Sequence, residues 1–419
     1  MLKMTLEQGS WLITLWLLAH IPGCLVGGYI ADRFGRRPII VGISMLFPLS
    51  FVLIAVAYDI NFIYVSRIIS GFADGSLYSI LPVYISEISH SKLRGSMSNL
   101  VNIGQSLGIL LVYIIGIFVT WRQLHWLFCI PSCISVVLSI ILLPEAPYWL
   151  LKEGRSEEAQ TVLKKLRGGS SKSIQQEFNE MVNRNNINMK AAAAAAQDKG
   201  CAHKLISAFC SSSFLRPFSR IGVLYCIVQF SGVNIAMMYL VTIFQQSGSN
   251  IDPYIQSIIV SGFRMVTSLM SSLALAMFPR RALFACSALL IAASMAIIGT
   301  VSFYNEQNLS ATSAQATINI TSGTHFSNEH EKQSALAVFW GWLPAIAIMV
   351  IYVNHSLGYA SVIRVLVGEM FPTEIRAMSS ASWLCGSDMC LAIVGKLFPQ
   401  FITWLGFHGT FWTYRHVCC

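Results

Sequence analysis

Charge is what this sequence has least of: only 11% of its 419 residues are Asp, Glu, Lys or Arg, where a soluble domain carries roughly 25%. With 55% of the residues hydrophobic, a water-soluble fold is excluded. Acidic side chains are the scarcer sign, 19 against 28 basic, which leaves a net charge of +9. In a soluble chain that excess would raise nucleic acid as a partner. Here the basic residues lie in loops between apolar runs, so the excess is the positive-inside bias of a membrane protein. The eleven cysteines show neither metal-type pairing nor a disulfide framework. Those inside apolar runs (Cys24, Cys129, Cys133, Cys226, Cys286, Cys385, Cys390) read as small buried hydrophobes. There is no phosphate-binding loop and no metal cluster of convincing spacing, so neither ATP drive nor catalysis is expected, and no cofactor or metal. No cleavable signal is evident, because the first apolar run is about twenty residues long and ends in DRFGRR, a stop that keeps it in the membrane.

What is present is a series of apolar runs of membrane-spanning length. Ten can be marked, near 10–30, 39–58, 62–85, 96–119, 123–143, 219–244, 254–278, 282–303, 335–366 and 378–403,. The expected class is an all-α polytopic membrane protein. Between the two groups of five lies a polar stretch, interrupted by the alanine run 191–196. This divides the chain into an N-terminal half (1–144), a cytosolic linker (145–216) with short amphipathic helices such as 156–166, and a C-terminal half (217–419). Loops on one side, linker excluded, hold eight lysines and arginines, against Lys3, Arg122 and Lys332 on the other. The richer side is cytoplasmic. Segment 304–333 then falls outside and carries two glycosylation sequons, at Asn308 and Asn319.

The stretch 27–38, GGYIADRFGRRP, ends an apolar run in a dense charge cluster: Asp32, Arg33, Arg36 and Arg37. As a bare stop signal it needs no further role, since a basic residue at the bilayer centre costs about 2.5–3.5 kcal/mol on insertion scales. A sharper reading makes it the hinge of a lock on the inner face. Internal repetition favours the lock. Glu87 precedes Arg94 by seven residues in YISEISHSKLRG, and Glu369 precedes Arg376 by the same seven in GEMFPTEIRA. Arg36-Arg37 and Arg280-Arg281 each mark a cytoplasmic helix end. Repeated halves joined by a linker are the signature of carriers that hold substrate near the midplane and rock one half against the other.

The chain resembles the sugar-transporter branch of the major facilitator superfamily, most closely its insect trehalose-transporter-like members. The resemblance rests on GGYIADRFGRRP, Arg67 with Gly71, PVYISEIS...LRG, PEAPYWL (144–150), QFSGVN (229–234) and GEMFPTEIRA, six signatures in order over nearly the whole chain. It implies the major facilitator fold of two pseudo-symmetric helical halves. Members have twelve helices, and this sequence aligns with helices two to eleven and the start of twelve. The expectation is an incomplete gene model or truncated splice form, with the first and last helices missing. The resemblance also implies a multi-pass protein of the plasma membrane whose partners are the bilayer and a small-molecule sugar.

Site residues follow by correspondence. Gln229 and Asn234 match the sugar-binding amides of the helix-seven pattern, and Tyr239 matches its aromatic gate. Five residues apart, the two amides do not share one face of an ideal helix, so Ser231-Gly232 between them is expected to break it. Without the resemblance, interhelical hydrogen bonding would be the ordinary role of such amides. Asn102, with Gln105 nearby, stands where helix five has its glutamine. Several positions depart from the pattern. Val228 replaces the first glutamine, Arg364 replaces the tryptophan of helix ten, Arg264 replaces a helix-eight asparagine, and Asp388 occupies a tryptophan or polar position of helix eleven. Asp388 is expected to pair with Arg364 or Arg264. Arg67, Asp74 and His20 are further intramembrane ionisable groups, but the family's coupling acid lies on the absent helix one, which favours facilitated diffusion. For the inner lock, Arg33, Arg36, Arg37 and Arg94 are expected to meet Glu87 and Glu145, with Glu369 and Arg376 as second-half counterparts. There the acid of the DRFGRR pattern has become Ala276-Met277-Phe278-Pro279-Arg280-Arg281. The leading function is hexose or trehalose transport by alternating access. The alternatives are a carrier for an anionic substrate or a non-transporting sensor or vestigial paralogue.

Overall fold

The computed structural model describes residues 5–90, 94–168, 171–197, 212–246, 252–322, 335–359, 362–363, 366 and 376–418. Among the described residues there are helices and no strands. In chain order they are α1 (Leu6–Phe34), α2 (Arg36–Ser44), α3 (Leu46–Ala55), α4 (Ile60–Ile88), α5 (Arg94–Gly116), α6 (Trp121–Leu142), α7 (Pro147–Lys152), α8 (Ser156–Arg167) and α9 (Ser171–Gln197). Then come α10 (Ser212–Phe230), α11 (Val233–Met238), α12 (Leu240–Gln246), α13 (Pro253–Met277), α14 (Arg280–Ser322), α15 (Ala335–Asn354), a π-helical turn His355–Tyr359, and α16 (Arg376–Cys418). Seven segments among the described residues are long and apolar enough to cross a bilayer: Glu7–Phe34, Arg36–Ala55, Ile60–Ile88, Trp121–Leu142, Arg280–Tyr304, Trp342–Tyr359 and Ser382–His416. The protein is a multi-pass membrane protein, and its surface agrees. Helix α6 buries none of its residues, and Ile130, Ile134, Val137, Leu138 and Ile141 stand exposed, as side chains against lipid do.

Local chemistry sets the helix ends. A reciprocal cap opens α1: Gln8 N–H donates to Thr5 Oγ1 at 3.2 Å, and Thr5 N–H to Gln8 Oε1 at 3.0 Å,. Gly35, at φ 102°, closes it, a conformation open to glycine. The second span is split at Met45 into α2 and α3. Pro48 has no N–H to give Ser44, so the ladder is interrupted one turn earlier. Asp59 Oδ1 accepts the Ile60 N–H at 2.7 Å and caps α4,. Helix α16 is interrupted at Gly406 (φ 71°, ψ 172°), three residues after the expected end of the run near 403. Helix α14 carries 43 residues, roughly 65 Å at 1.5 Å per residue, and so outruns a hydrocarbon core of about 30 Å. Asn308 and Asn319 lie on its far stretch, on helix rather than loop; their side chains are outside the described residues.

The described part of the linker is more helical than its composition implies. Helix α8 matches the amphipathic segment anticipated at 156–166, but α9 runs 27 residues and takes in the alanine run at 191–196. The interruption expected there is absent, because alanine is the strongest helix former.

The helices cluster into two compact units. The first contains Met1–Val101, Val119–Gly222 and Val367–Met389; the second contains Asn102–Phe118, Val223–Leu366 and Cys390–Cys419. In the first, α1 and α4 pack most closely. A Cβ on Gly23 or Gly27 of α1 would strike the backbone of Phe72 or Ser76, and one on Gly71 or Gly75 of α4 the carbonyls of Trp16 or His20. Two glycine pairs at four-residue spacing thus let the backbones meet, and Ser76 Oγ donates across the seam to the Gly23 carbonyl at 3.1 Å.

Candidate functional sites

At the inner end of the first unit, helix geometry converges on Arg36. Its guanidinium meets Asp32 at 2.7 Å and Glu87 at 3.2 Å, and Nη1 donates to the Ala31 carbonyl at 3.0 Å. The Arg36 and Glu87 side chains are 8% and 12% exposed, whereas Asp32 is 62% exposed. The Arg36–Glu87 contact is therefore the desolvated one. Glu145 plays a different part from the one anticipated. Its Oε1 accepts the backbone N–H groups of Arg36, Arg37 and Ala146 at 2.9, 3.2 and 3.0 Å, so the carboxylate anchors the N-terminus of α2 rather than a guanidinium. Gly35 makes room for it, since a Cβ there would sit 2.7 Å from Glu145 Oε2. Arg37 Nη2 donates to the Ile140 carbonyl at 2.8 Å at the end of α6. Arg33 lies 5.6 Å from the Phe34 ring centroid and forms no ion pair among the described residues. Arg94 begins α5 and Arg376 begins α16, but their side chains, and all of Glu369, are outside the described residues.

This charge cluster rests on an apolar base. Ala31, Ile40, Ile80, Tyr84, Ala146 and Trp149 pack together with Leu150 and Leu151 of α7 and Ala159 of α8. Tyr84 Oη donates to the Pro144 carbonyl at 2.7 Å, and Trp149 Nε1 to the Asp32 carbonyl at 3.2 Å. The PEAPYWL stretch thus docks on the DRFGRR turn. Arg167 of α8 holds the linker to α4, donating to the carbonyls of Ile88 and Ser89 at 2.8 and 3.4 Å while gripping Glu177 of α9 at 2.8 Å. The hydrogen bonds from Arg167 hold the Glu177 carboxyl below its usual range,.

In the second unit, the break anticipated between Gln229 and Asn234 is present. Helix α10 ends at Phe230, Gly232 takes φ 77°, and α11 starts at Val233. The break brings the two amides together, with Asn234 Nδ2 donating to Gln229 Oε1. Gln229 is 5% exposed. Tyr239 falls at the next interruption, between α11 and α12, with its ring centroid 4.6 Å from that of Phe398. The Tyr239 and Tyr414 hydroxyls are buried without a hydrogen-bond partner among the described residues. Tyr414 was not singled out in the sequence. It covers the break: a Cβ on Gly232 would lie 2.6 Å from its ring. Asn102 and Gln105 lie on α5, where Ser106 Oγ donates to the Asn102 carbonyl at 2.9 Å. Arg264 of α13 stacks on Tyr352 of α15, 5.5 Å from its centroid,. Arg364 is outside the described residues.

Asp388 meets a histidine; of the two arginines expected as its partner, Arg264 lies on Tyr352 and Arg364 is outside the described residues. Asp388 Oδ2 lies 2.8 Å from His20 Nδ1, and His20 Nε2 lies 3.7 Å from Asp74 Oδ2. His20 and Asp388 are 4% and 8% exposed. Cys24, one turn after His20, places its Sγ 3.5 Å from Nδ1. Sequence reasoning named each ionisable residue but left them unconnected, because nothing in the linear spacing joins positions 368 apart.

The family model for Sugar (and other) transporter matches residues 4–419. The chain is 26% identical over 414 residues to the facilitated trehalose transporter Tret1 of Apis mellifera ligustica, covering 98% of this chain and 74% of that one. It is 27% identical over 417 residues to the Tret1-2 homolog of Drosophila simulans, covering 99% and 78%. Among solved structures, the proton:xylose symporter XylE bound to 6-bromo-6-deoxy-D-glucose superposes with a TM-score of 0.71 at 22% identity, over 98% of this chain and 84% of that one. The inward open conformation of XylE from E. coli gives 0.72 at 20% identity, over 98% and 83%. These establish the fold as that of major facilitator transporters. With the family match spanning the chain, the protein belongs to the Sugar (and other) transporter family, a family of membrane carriers and not of enzymes.

Proposed function

We propose that this protein carries a hexose or trehalose across the plasma membrane by facilitated diffusion, through alternating access. The observation that carries the reading is the helix break at Ser231-Gly232. It joins the Gln229 and Asn234 amides beside two buried tyrosine hydroxyls, Tyr239 and Tyr414, that lack partners among the described residues. Each stranded buried polar group costs about 1–3 kcal/mol, and a polyol supplies the donors and acceptors to satisfy them. Asn102, Gln105, Arg264, Arg364 and Asp388 complete the proposed set of pathway residues. The similarity to facilitated trehalose transporters supports a disaccharide or its monomer as cargo.

In this reading 1–144 and 217–419 are the two rocking halves, joined by the linker 145–216. Asp32, Arg33, Arg36, Arg37, Glu87, Arg94 and Glu145 form the inner gate, with Glu369 and Arg376 as second-half counterparts, and Asn308 and Asn319 carry glycans outside. Charge-assisted contacts of about 1–3 kcal/mol bias the two-state equilibrium. The test is uptake of labelled glucose and trehalose into liposomes holding the purified full chain. Saturable uptake of one of them is expected without an imposed proton gradient, with KM raised at least tenfold in Gln229→Ala. Absence of saturable uptake of both sugars overturns the proposal.

A further inference from the structure

We propose that His20, Cys24 and Asp388 form a binding site for a divalent zinc-class ion between α1 and α16, within the first compact unit. Two of the ligands come from α1 and one from α16. His20 and Cys24 are four apart on α1 and share one face. Facing helices bearing such ligands are a general way to build a metal site in a bundle.

The geometry is close to a coordination shell. One ligand atom from each of His20, Cys24 and Asp388 lies within 4.8 Å of the other two. A tetrahedral ion with a nitrogen ligand at about 2.05 Å and a sulfur ligand at about 2.3 Å sets those atoms roughly 3.5 Å apart, and Cys24 Sγ is 3.5 Å from His20 Nδ1. Nitrogen and oxygen ligands stand about 3.3 Å apart in the same shell. The 2.8 Å between Nδ1 and Asp388 Oδ2 must therefore open by roughly half an ångström, which is what replacing a shared proton with a metal requires. Three protein ligands leave the fourth tetrahedral position to water; Cys385, whose Sγ lies 4.0 Å from the Ile21 carbonyl oxygen, stays outside the shell.

Beyond the ligands, Asp74 Oδ2 lies 3.7 Å from His20 Nε2, the ring nitrogen turned away from the proposed ion. A carboxylate there fixes the tautomer and raises ligand basicity, the usual outer-shell partner of a metal-bound imidazole. The Trp16 and Tyr78 rings flank the imidazole with centroids at 5.6 and 5.8 Å and limit water. Asp74, 43% exposed at its side chain, marks the way in. Charge also favours the ion in this medium, because a thiolate and a carboxylate cancel a divalent cation inside the membrane, where unbalanced charge is costly. A thiolate and an imidazole select zinc over calcium and magnesium.

The test is titration of the purified full chain in nanodiscs with cobalt(II) as a spectroscopic stand-in, then displacement by zinc. One cobalt per chain is expected, with a thiolate-to-metal charge-transfer band and tetrahedral ligand-field bands that zinc abolishes. Cys24→Ala removes or sharply weakens the charge-transfer band. Asp74→Asn leaves the band in place and weakens affinity by about 10–100-fold. On the unaltered protein, zinc protects Cys24 from alkylation and leaves Cys226 reactive, a readout that needs no variant to fold. No stoichiometric cobalt binding, or a band that survives Cys24→Ala unchanged, overturns the site and leaves His20–Asp388 a structural ion pair.

Discussion

Replacing Gly71 and Gly75 together by alanine tests the tightest packing in the molecule. On Gly75 the new methyl would press on the His20 carbonyl, 2.9 Å from its carbon and 3.0 Å from His20 Cα; on Gly71 it would lie 3.0 Å from the Trp16 carbonyl carbon and 3.1 Å from Ala19 Cβ. Carbon atoms in ordinary contact stand about 3.5–4.0 Å apart, so α1 and α4 must part by roughly 0.5–1 Å. The obstructing atoms are mainly backbone, which no rotamer change can move aside. Overpacking of this kind costs about 1–3 kcal/mol per site. Against it stands the helix-propensity gain of alanine over glycine, about 0.8–1 kcal/mol each. The net expectation is a loss on the order of 1–4 kcal/mol. Helix α5 supplies the control: Gly104 and Gly108 have the same spacing, but a Cβ on either meets nothing within 4 Å. Gly104→Ala with Gly108→Ala should be neutral or raise stability by up to about 2 kcal/mol. The assay is thermal unfolding of the full chain in detergent, followed by loss of the monodisperse peak. A Gly71→Ala, Gly75→Ala protein that melts at or above the α5 control would refute the reasoning.

At the inner gate, Glu87→Gln removes the desolvated partner of Arg36 and is expected to cost about 3–5 kcal/mol of the contact, read as greater alkylation of a cysteine placed on the inner side of α4. Glu145→Ala strands two N-terminal N–H groups of α2 and should lower the melting midpoint more than Glu145→Gln, which keeps an acceptor but loses the charge favoured at a helix start; equal effects would assign the anchor to its charge alone and overturn the part given to the hydrogen bonds. Gly232→Ala forces a left-handed backbone on alanine beneath the Tyr414 ring and should abolish sugar uptake; retained uptake would show the break to be dispensable. The Glu177 carboxyl is held below its ordinary value of 4.5 by Arg167, so its stabilising contribution is whole above that value and is lost as pH falls through the lower folded one. The melting difference between the unaltered protein and Glu177→Gln should therefore vanish in strong acid, and a difference independent of pH would count against the pairing.

The parts of this fold legible in sequence are those set by interactions close along the chain. Apolar length marked seven of the ten expected runs as spans among the described residues, the DRFGRR charge cluster marked a helix exit, and Ser231-Gly232 marked a break, because each depends on a few neighbouring residues and a medium that forbids unpaired backbone groups. The linker misled for the converse reason: its alanine run was weighed as composition, when propensity alone continues α9. The ion-pair partners were legible only as a charge inventory. Scarcity of acid made it certain that Asp388 would have a partner, yet the identity of that partner depends on the rotation of α16 against α1. Ridge-and-groove packing fixes such rotations, and the glycine seam that seats α1 on α4 holds the helix that carries His20. Of the arginines expected beside Asp388, Arg264 stacks on the Tyr352 ring and Arg364 is outside the described residues, while Asp388 meets a histidine whose charge is conditional. That exchange changes the chemistry available. An arginine–aspartate pair is permanently ionised, whereas the imidazole of His20, beside a thiol and between two carboxylates, can release its proton to water when a metal takes its place. The glycines of α1 and α4, two of which stand in the signatures GGYIADRFGRRP and Arg67 with Gly71, thus set where His20 stands against α4.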